Sequence, residues 1–206
     1  RFLKCQPAII GIHRIHISIA ALLHKARRAT GHRVPTLELL QADHAVLVQI
    51  RLHKRLLRRH ARELLSAQLT PAPADVFLIA VPTPFRSGTD GIPQPNIDYV
   101  LAAARAFAPL LRPGNLVLLE STSPVGTTEQ VAQVIAELSG LNTDQLHIAY
   151  CPERVLPGSI LQELISNDRV IGGLTPTAAE AGKAFYASFC QGELLTTTAR
   201  TAELVK

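Results

Sequence analysis

The sequence predicts an α/β protein built on an open parallel sheet flanked by helices, and three observations carry that expectation. Short apolar runs recur from residue 75 onward, each of strand length and each closed by a polar or proline-bound turn. Between them lie stretches of roughly 12 to 16 residues whose apolar positions recur at helical spacing. Strand and helix therefore alternate, which is the signature of βαβ units with short connections.

The elements follow in order. "DVFLIAVPT" is a continuous apolar run stopped by Pro-Thr-Pro, suited to a strand buried on both faces. "NIDYVLAAARAFAPLL" reads as a helix with Asn96 as its N-cap and "RPGN" as its stop. "LVLLES" is the next buried strand, "SPVGTTEQVAQVIAEL" turns into a helix, and "LHIAYCP" is a third strand. "DRVIGG" gives a short fourth strand, and "TPTAAEAGKAFYASFC" a helix opened by Thr175 with Pro176 at its first position. "GELLTTT" is a last strand and "ARTAELVK" opens a further helix. The loop "RSGTDGIPQPN" is polar and long enough to act as a mobile flap.

The first 70 residues differ in character. They hold 13 Lys and Arg against 3 acidic residues and seven of the eight histidines, whereas residues 71–206 hold 8 basic against 13 acidic residues. Such a shift marks a boundary. Here "AIIGI" fits a first strand, "ISIAALLHKARRA" a helix, and "GHRVPTLEL" a second strand ending in Glu38. "LVQIRLHKRLLRRHARELL" reads as a basic amphipathic helix. Its Arg55, Arg58, Arg59 and Arg62 suit a solvated face; nucleic acid is disfavoured as a partner because Phe2 is the only aromatic residue nearby for base stacking.

Composition excludes other classes. No apolar run reaches membrane-spanning length. His and Arg interrupt the apolar opening, and no small-residue cleavage site follows, which argues against a secretory signal. With no Met anywhere, the chain reads as part of a longer polypeptide. Three scattered cysteines without metal-ligand spacing point to a reducing cytoplasm and to no metal centre.

In open parallel sheets, ligands sit beyond the carboxyl ends of the strands. Three such ends carry "VPTPF", "ESTSPVGT" and "CPERVLPG", so their residues are expected to face one crevice. The last sets a carboxylate, Glu153, beside a guanidinium, Arg154, at the mouth of the sheet.

Taken together, "DVFLIAVPTPF", "ESTSPVGTTE", "IAYCPERVLPGSI", "NDRVIGG" and "RTAELVK" resemble the UDP-glucose/GDP-mannose dehydrogenase family. "CPERVLPG" followed by "NDRVIGG" is most similar to the branch acting on UDP-N-acetyl-D-mannosamine. The resemblance implies a Rossmann-like, NAD-binding sheet. It implies oxidation of a UDP-sugar at C6 to the uronic acid in two NAD-dependent hydride transfers, through a thiohemiacetal and a thioester on a cysteine. By the same resemblance Glu153 is the catalytic carboxylate, and Lys206 assists proton transfer and stabilises the oxyanion. Arg154 contacts substrate and Val155 gives it backbone contacts. Thr83 and Thr122 line the cofactor near its ribose and nicotinamide, and Gly126 permits a tight approach at the next helix start.

The dinucleotide fingerprint departs from the family pattern. "GIHRIHIS" keeps Gly11 but has His13 and His16 at the other two glycine positions, where imidazoles would crowd the phosphates. Glu38 is the candidate for the ribose hydroxyls, 27 residues after Gly11, against a usual spacing of about 20.

Residues 1–70 are thus expected to be a degenerate or atypical first half of the dinucleotide-binding domain, and 71–198 its remainder. Residues 199–206 would begin the helix leading to a middle domain. A shifted reading frame would also produce an Arg- and His-rich stretch that yields abruptly to in-register family sequence. The family's reactive cysteine lies in a glycine-rich motif further downstream, and Cys151, closing an apolar strand, reads as a small buried thiol. The Asn that follows the family's lysine by four residues falls beyond Lys206. This polypeptide alone is therefore expected not to turn over, and the homodimer expected of the full-length family is not expected of it. The alternatives are a non-catalytic nucleotide-binding Rossmann module, or a basic nucleic-acid-binding arm at residues 1–70.

Overall fold

A computed structural model of the chain describes residues 15–18, 47–50, 65–68, 70–88, 91–155 and 159–206. In them the strands are β1 (Ile15–Ser18), β2 (Leu47–Ile50), β3 (Leu65–Gln68), β4 (Val76–Ile79), β5 (Phe85–Ser87), β6 (Pro93–Pro95), β7 (Leu116–Leu119), β8 (His147–Tyr150), β9 (Arg169–Gly173) and β10 (Leu194–Thr198). The α-helices are α1 (Asp98–Phe107), α2 (Thr127–Ser139), α3 (Ile160–Ser166), α4 (Pro176–Tyr186) and α5 (Ala199–Leu204). Among the described residues no helix is long and apolar enough to cross a membrane.

Eight strands form one sheet in the order β10-β9-β8-β7-β4-β1-β2-β3. Its centre is the expected parallel α/β core, with β1, β4, β7 and β8 paired in parallel. The expected parallel sheet with helices on its faces is confirmed there, and the architecture is Rossmann-like. The margins correct the expectation, because β1–β2, β2–β3 and β8–β9 pair antiparallel. A parallel return needs a crossover that traverses the sheet. Among the described residues between β8 and β9 the one helix is α3, of 7 residues, and the chain re-enters the sheet from the edge at which it left.

Alternation along the central strands explains their continuous apolar composition. Phe77, Ile79, Val117, Leu119, Ile148 and Tyr150 face one layer, where Val100 and Phe107 of α1 and Val131 and Ile135 of α2 complete the core. Val76, Leu78, Leu116, Leu118 and Ala149 face the other, against Phe185 and Tyr186 of α4. Successive residues of a strand point to opposite faces, so a strand covered on both sides has no polar position to offer. Phe77 and Phe107 stack with ring centroids 4.8 Å apart.

Helix starts follow local chemistry. Thr175 accepts the Ala178 N–H at 3.1 Å, with Pro176 at the first position as expected. Asn96, the expected N-cap, stands one residue before the observed one, since Ile97 holds that place, but its Oδ1 still accepts the Asp98 N–H at 2.9 Å. The expected flap is in part an exposed hairpin, with β5 and β6 paired antiparallel.

Residues 8–12 and 31–39, read as the first two strands, lie outside the described residues, as do Gly11, His13 and Glu38. His16 belongs to β1, not to the helix start where the fingerprint alignment set it, and pairs with Phe77 in register. Likewise Leu47–Ile50, read as the opening of a basic helix, is a strand, and Leu65, at that helix's end, begins β3. Alternating β-branched residues in "IHIS" favour a pleated strand.

Candidate active site at the carboxyl edge of the sheet

The turns after β4 and β7 are stitched together by Ser121. Its hydroxyl donates to the Val81 carbonyl at 2.8 Å and accepts the Val81 N–H at 2.8 Å. This buried hydroxyl closes the gap between the "VPTP" and "ESTS" turns. Thr83 is half-buried in the first turn and Thr122 exposed in the second, so both stand at the same rim. Such a rim suits the reactive end of a dinucleotide; residues around Gly11, which would meet its phosphates, lie outside the described ones.

The third turn follows β8 directly. Glu153 is half-buried and its Oε1 accepts the Val155 N–H at 2.7 Å, which holds the carboxylate against its own backbone. Arg154 is exposed and reaches backward, donating from Nη2 to the Asp168 carbonyl at 2.9 Å. It thereby braces the segment that leads into β9. Lys206 Nζ donates to the Glu153 main-chain carbonyl. Two residues 53 positions apart thus meet at the carboxyl edge.

Beneath them lies a cluster that sequence reading missed. Glu120 closes β7, and its Oε1 accepts the Tyr186 hydroxyl at 2.6 Å. Arg169 Nη1 lies 3.8 Å from the same oxygen, and its guanidinium sits 4.6 Å over the Tyr186 ring. Burial pushes the Glu120 carboxyl above its ordinary range; Tyr186 and Arg169 pull it back, Glu153 adds to the rise, and Lys206 opposes it. Cys151 is buried beside Arg169, and burial pushes its thiol up to about 11, the state of an inert structural cysteine. An acidic residue ending an apolar strand was the available signal for Glu120.

A carboxyl with a raised folded pKa binds its proton more tightly in the fold than in the unfolded chain. Its contribution favours the fold below the unfolded value and is lost as pH rises through the folded one. Glu120→Gln should therefore flatten the decline in stability as pH rises above 4.5, the ordinary value. Urea midpoints across a pH series read this; parallel curves for the two proteins would refute it.

A sheet of this topology, with helices on both faces and polar turns beyond the carboxyl ends of its central strands, is of the dinucleotide-binding type. The chain belongs to the UDP-glucose/GDP-mannose dehydrogenase family: the profile of that family's NAD binding domain matches residues 34–190. NAD is accordingly the cofactor this domain serves. The chain is 50% identical over 150 residues to a UDP-N-acetyl-D-mannosamine dehydrogenase of Campylobacter jejuni, a match covering 69% of this chain and 36% of the relative. It is 40% identical over 219 residues to an NDP-N-acetyl-D-galactosaminuronic acid dehydrogenase of Ralstonia nicotianae, covering 97% of this chain and 49% of that one. Among solved structures, the UDP-N-acetyl-mannosamine dehydrogenase of Staphylococcus aureus superposes with a TM-score of 0.62 at 41% identity, over 67% of this chain and 33% of that one. The chain spans between about a third and a half of the length of these relatives.

Proposed function

We propose that this chain is the cofactor-binding part of an enzyme that oxidises a nucleotide sugar of the UDP-N-acetyl-D-mannosamine type at C6 to the uronic acid. The observation that supports this most is the meeting of Lys206 with Glu153 at the carboxyl edge, beside the Thr83 and Thr122 turns. In this reading NAD, when bound, supplies the hydride acceptor. Glu153 takes the proton of the sugar hydroxyl, and the Lys206 ammonium stabilises negative charge that develops on the reacting oxygen. Arg154 and the backbone at Val155 hold the substrate. Thr83 and Thr122 line the nicotinamide end, while Gly11 and Glu38 serve the phosphates and ribose.

Cys151 is too deeply buried for nucleophilic work, so the family's two-step oxidation needs a thiol from elsewhere. In this reading the 206-residue chain by itself is inactive. Free Cys151 and Cys190 support a cytoplasmic setting, and the homodimer belongs to the full-length enzyme.

Calorimetric titration of the purified chain with NAD, with UDP-N-acetyl-D-mannosamine and with both tests the reading. NAD is expected to bind, and no reduced cofactor is expected to accumulate. Absence of NAD binding at any accessible concentration would sink the cofactor assignment, and sustained NADH production would sink the claim of inactivity.

A further inference from the structure

Glu203 has no part in the chemistry above, yet it is 4% exposed and engaged through both oxygens. Oε2 accepts the Gly126 N–H at 2.6 Å, while Oε1 accepts the Thr128 N–H at 2.8 Å and the Thr128 hydroxyl at 2.6 Å. Those amides open α2, whose own N-cap, Gly126 at φ 93°, has no side chain to satisfy them. A carboxylate from α5 does so instead, and its charge meets the positive end of the α2 dipole.

Lys206 follows Glu203 by three residues, on the same face of a helical turn. The Val205 N–H donates to the Ala202 carbonyl, so the helical path continues past Leu204 toward Lys206. Fixing Glu203 against α2 therefore fixes the rotation of α5 about its axis. That rotation decides whether the Lys206 amine swings over the carboxyl edge or out into solvent. Arg200 adds a second tie, donating to Glu129 of α2 at 2.7 and 2.8 Å, but this pair is exposed and open to screening by salt.

We propose that Glu203 is a positioning residue: by capping α2 it sets the rotation of α5 that holds Lys206 against Glu153. The proposal rests on the reading of Lys206 as part of the active site. The test is competitive acetylation of the native 206-residue chain, with the labelling of Lys206 measured against that of Lys183 by mass spectrometry. Unfolding midpoints are recorded for the same samples, and labelling is done well below them. Glu203→Gln places an amide where both oxygens receive donors, and it is expected to raise the Lys206-to-Lys183 ratio several-fold. Thr128→Val removes only the hydroxyl contact, and should raise the ratio by a smaller factor in a protein that keeps both backbone contacts. A cap with no positioning role would lower the midpoints and leave the ratio unchanged in both variants, which would overturn the proposal. NAD titration separates the two readings. A raised ratio in a chain that binds no NAD supports the positioning role while the cofactor assignment fails. An unchanged ratio in a chain that binds NAD removes the positioning role alone.

Discussion

Arg169→Met is expected to destabilise the fold by about 3–5 kcal/mol, the scale of breaking a buried ion pair from one side. The Arg169 side chain is 5% exposed and lies 3.8 Å from the Glu120 carboxylate. It also donates to the Leu164 carbonyl at 3.2 Å and to the Cys190 sulfur at 3.3 Å. Methionine replaces the aliphatic stem but leaves the Glu120 charge without its cation and the Leu164 carbonyl without its donor. Urea unfolding across a rising pH series, which increasingly favours the ionised form of Glu120, should show the effect growing with pH. Adding Glu120→Gln should recover part of the loss, because no unbalanced charge then remains in the cluster. A single variant indistinguishable from the parent would mean that water, not Arg169, balances Glu120.

The second large effect concerns space. A Cβ on Gly172 would run into the Thr198 carbonyl oxygen, and would come within 2.6 Å of Ala202 Cβ and 2.8 Å of Ala199 Cα. Two of these three are main-chain atoms, which no rotamer change can move. Gly172→Ala should therefore force α5 away from β9 and lower stability by about 1–3 kcal/mol, the usual cost of overpacking. Hydrogen exchange should show α5 amides exchanging faster while those of β7 keep their protection. Unchanged α5 exchange in the variant would mean that the helix docks without the close approach to Gly172.

The central strands were legible because burial on both faces leaves a sequence little choice. Val76–Ile79, Leu116–Leu119 and His147–Tyr150 all fall within the expected apolar runs. The direction of β9 was not legible. "DRVIGG" buries the same side chains whichever way it runs, and the antiparallel pairing depends on how the preceding connection travels. In the first third, a long basic amphipathic pattern absorbed "LVQI", whose four residues alone suit a strand equally well.

Motifs named Glu153 and Lys206, and the fold brings them together. The residues that hold the rim were beyond such reading. Ser121 acts on Val81, 40 positions away, and Glu203 on Thr128, 75 positions away. Each looks locally like an ordinary polar residue. Its role exists only once the chain has folded, since a buried polar group takes its meaning from the partner that satisfies it.

The antiparallel return of β9 also bears on how freely this rim can change. A crossover between parallel strands must traverse the sheet, so its length is tied to the layers beneath. The segment from Cys151 to Asp168 leaves and re-enters at one edge, so its length is not set by a passage across the sheet, although Lys206 ties it at Glu153 and Arg169 at Leu164. Doubling the length of such a loop costs only about 0.6 kcal/mol of closure entropy. The stretch that carries Glu153 and Arg154 is thus a cassette, open to lengthening or recasting over generations while the scaffold below keeps its shape.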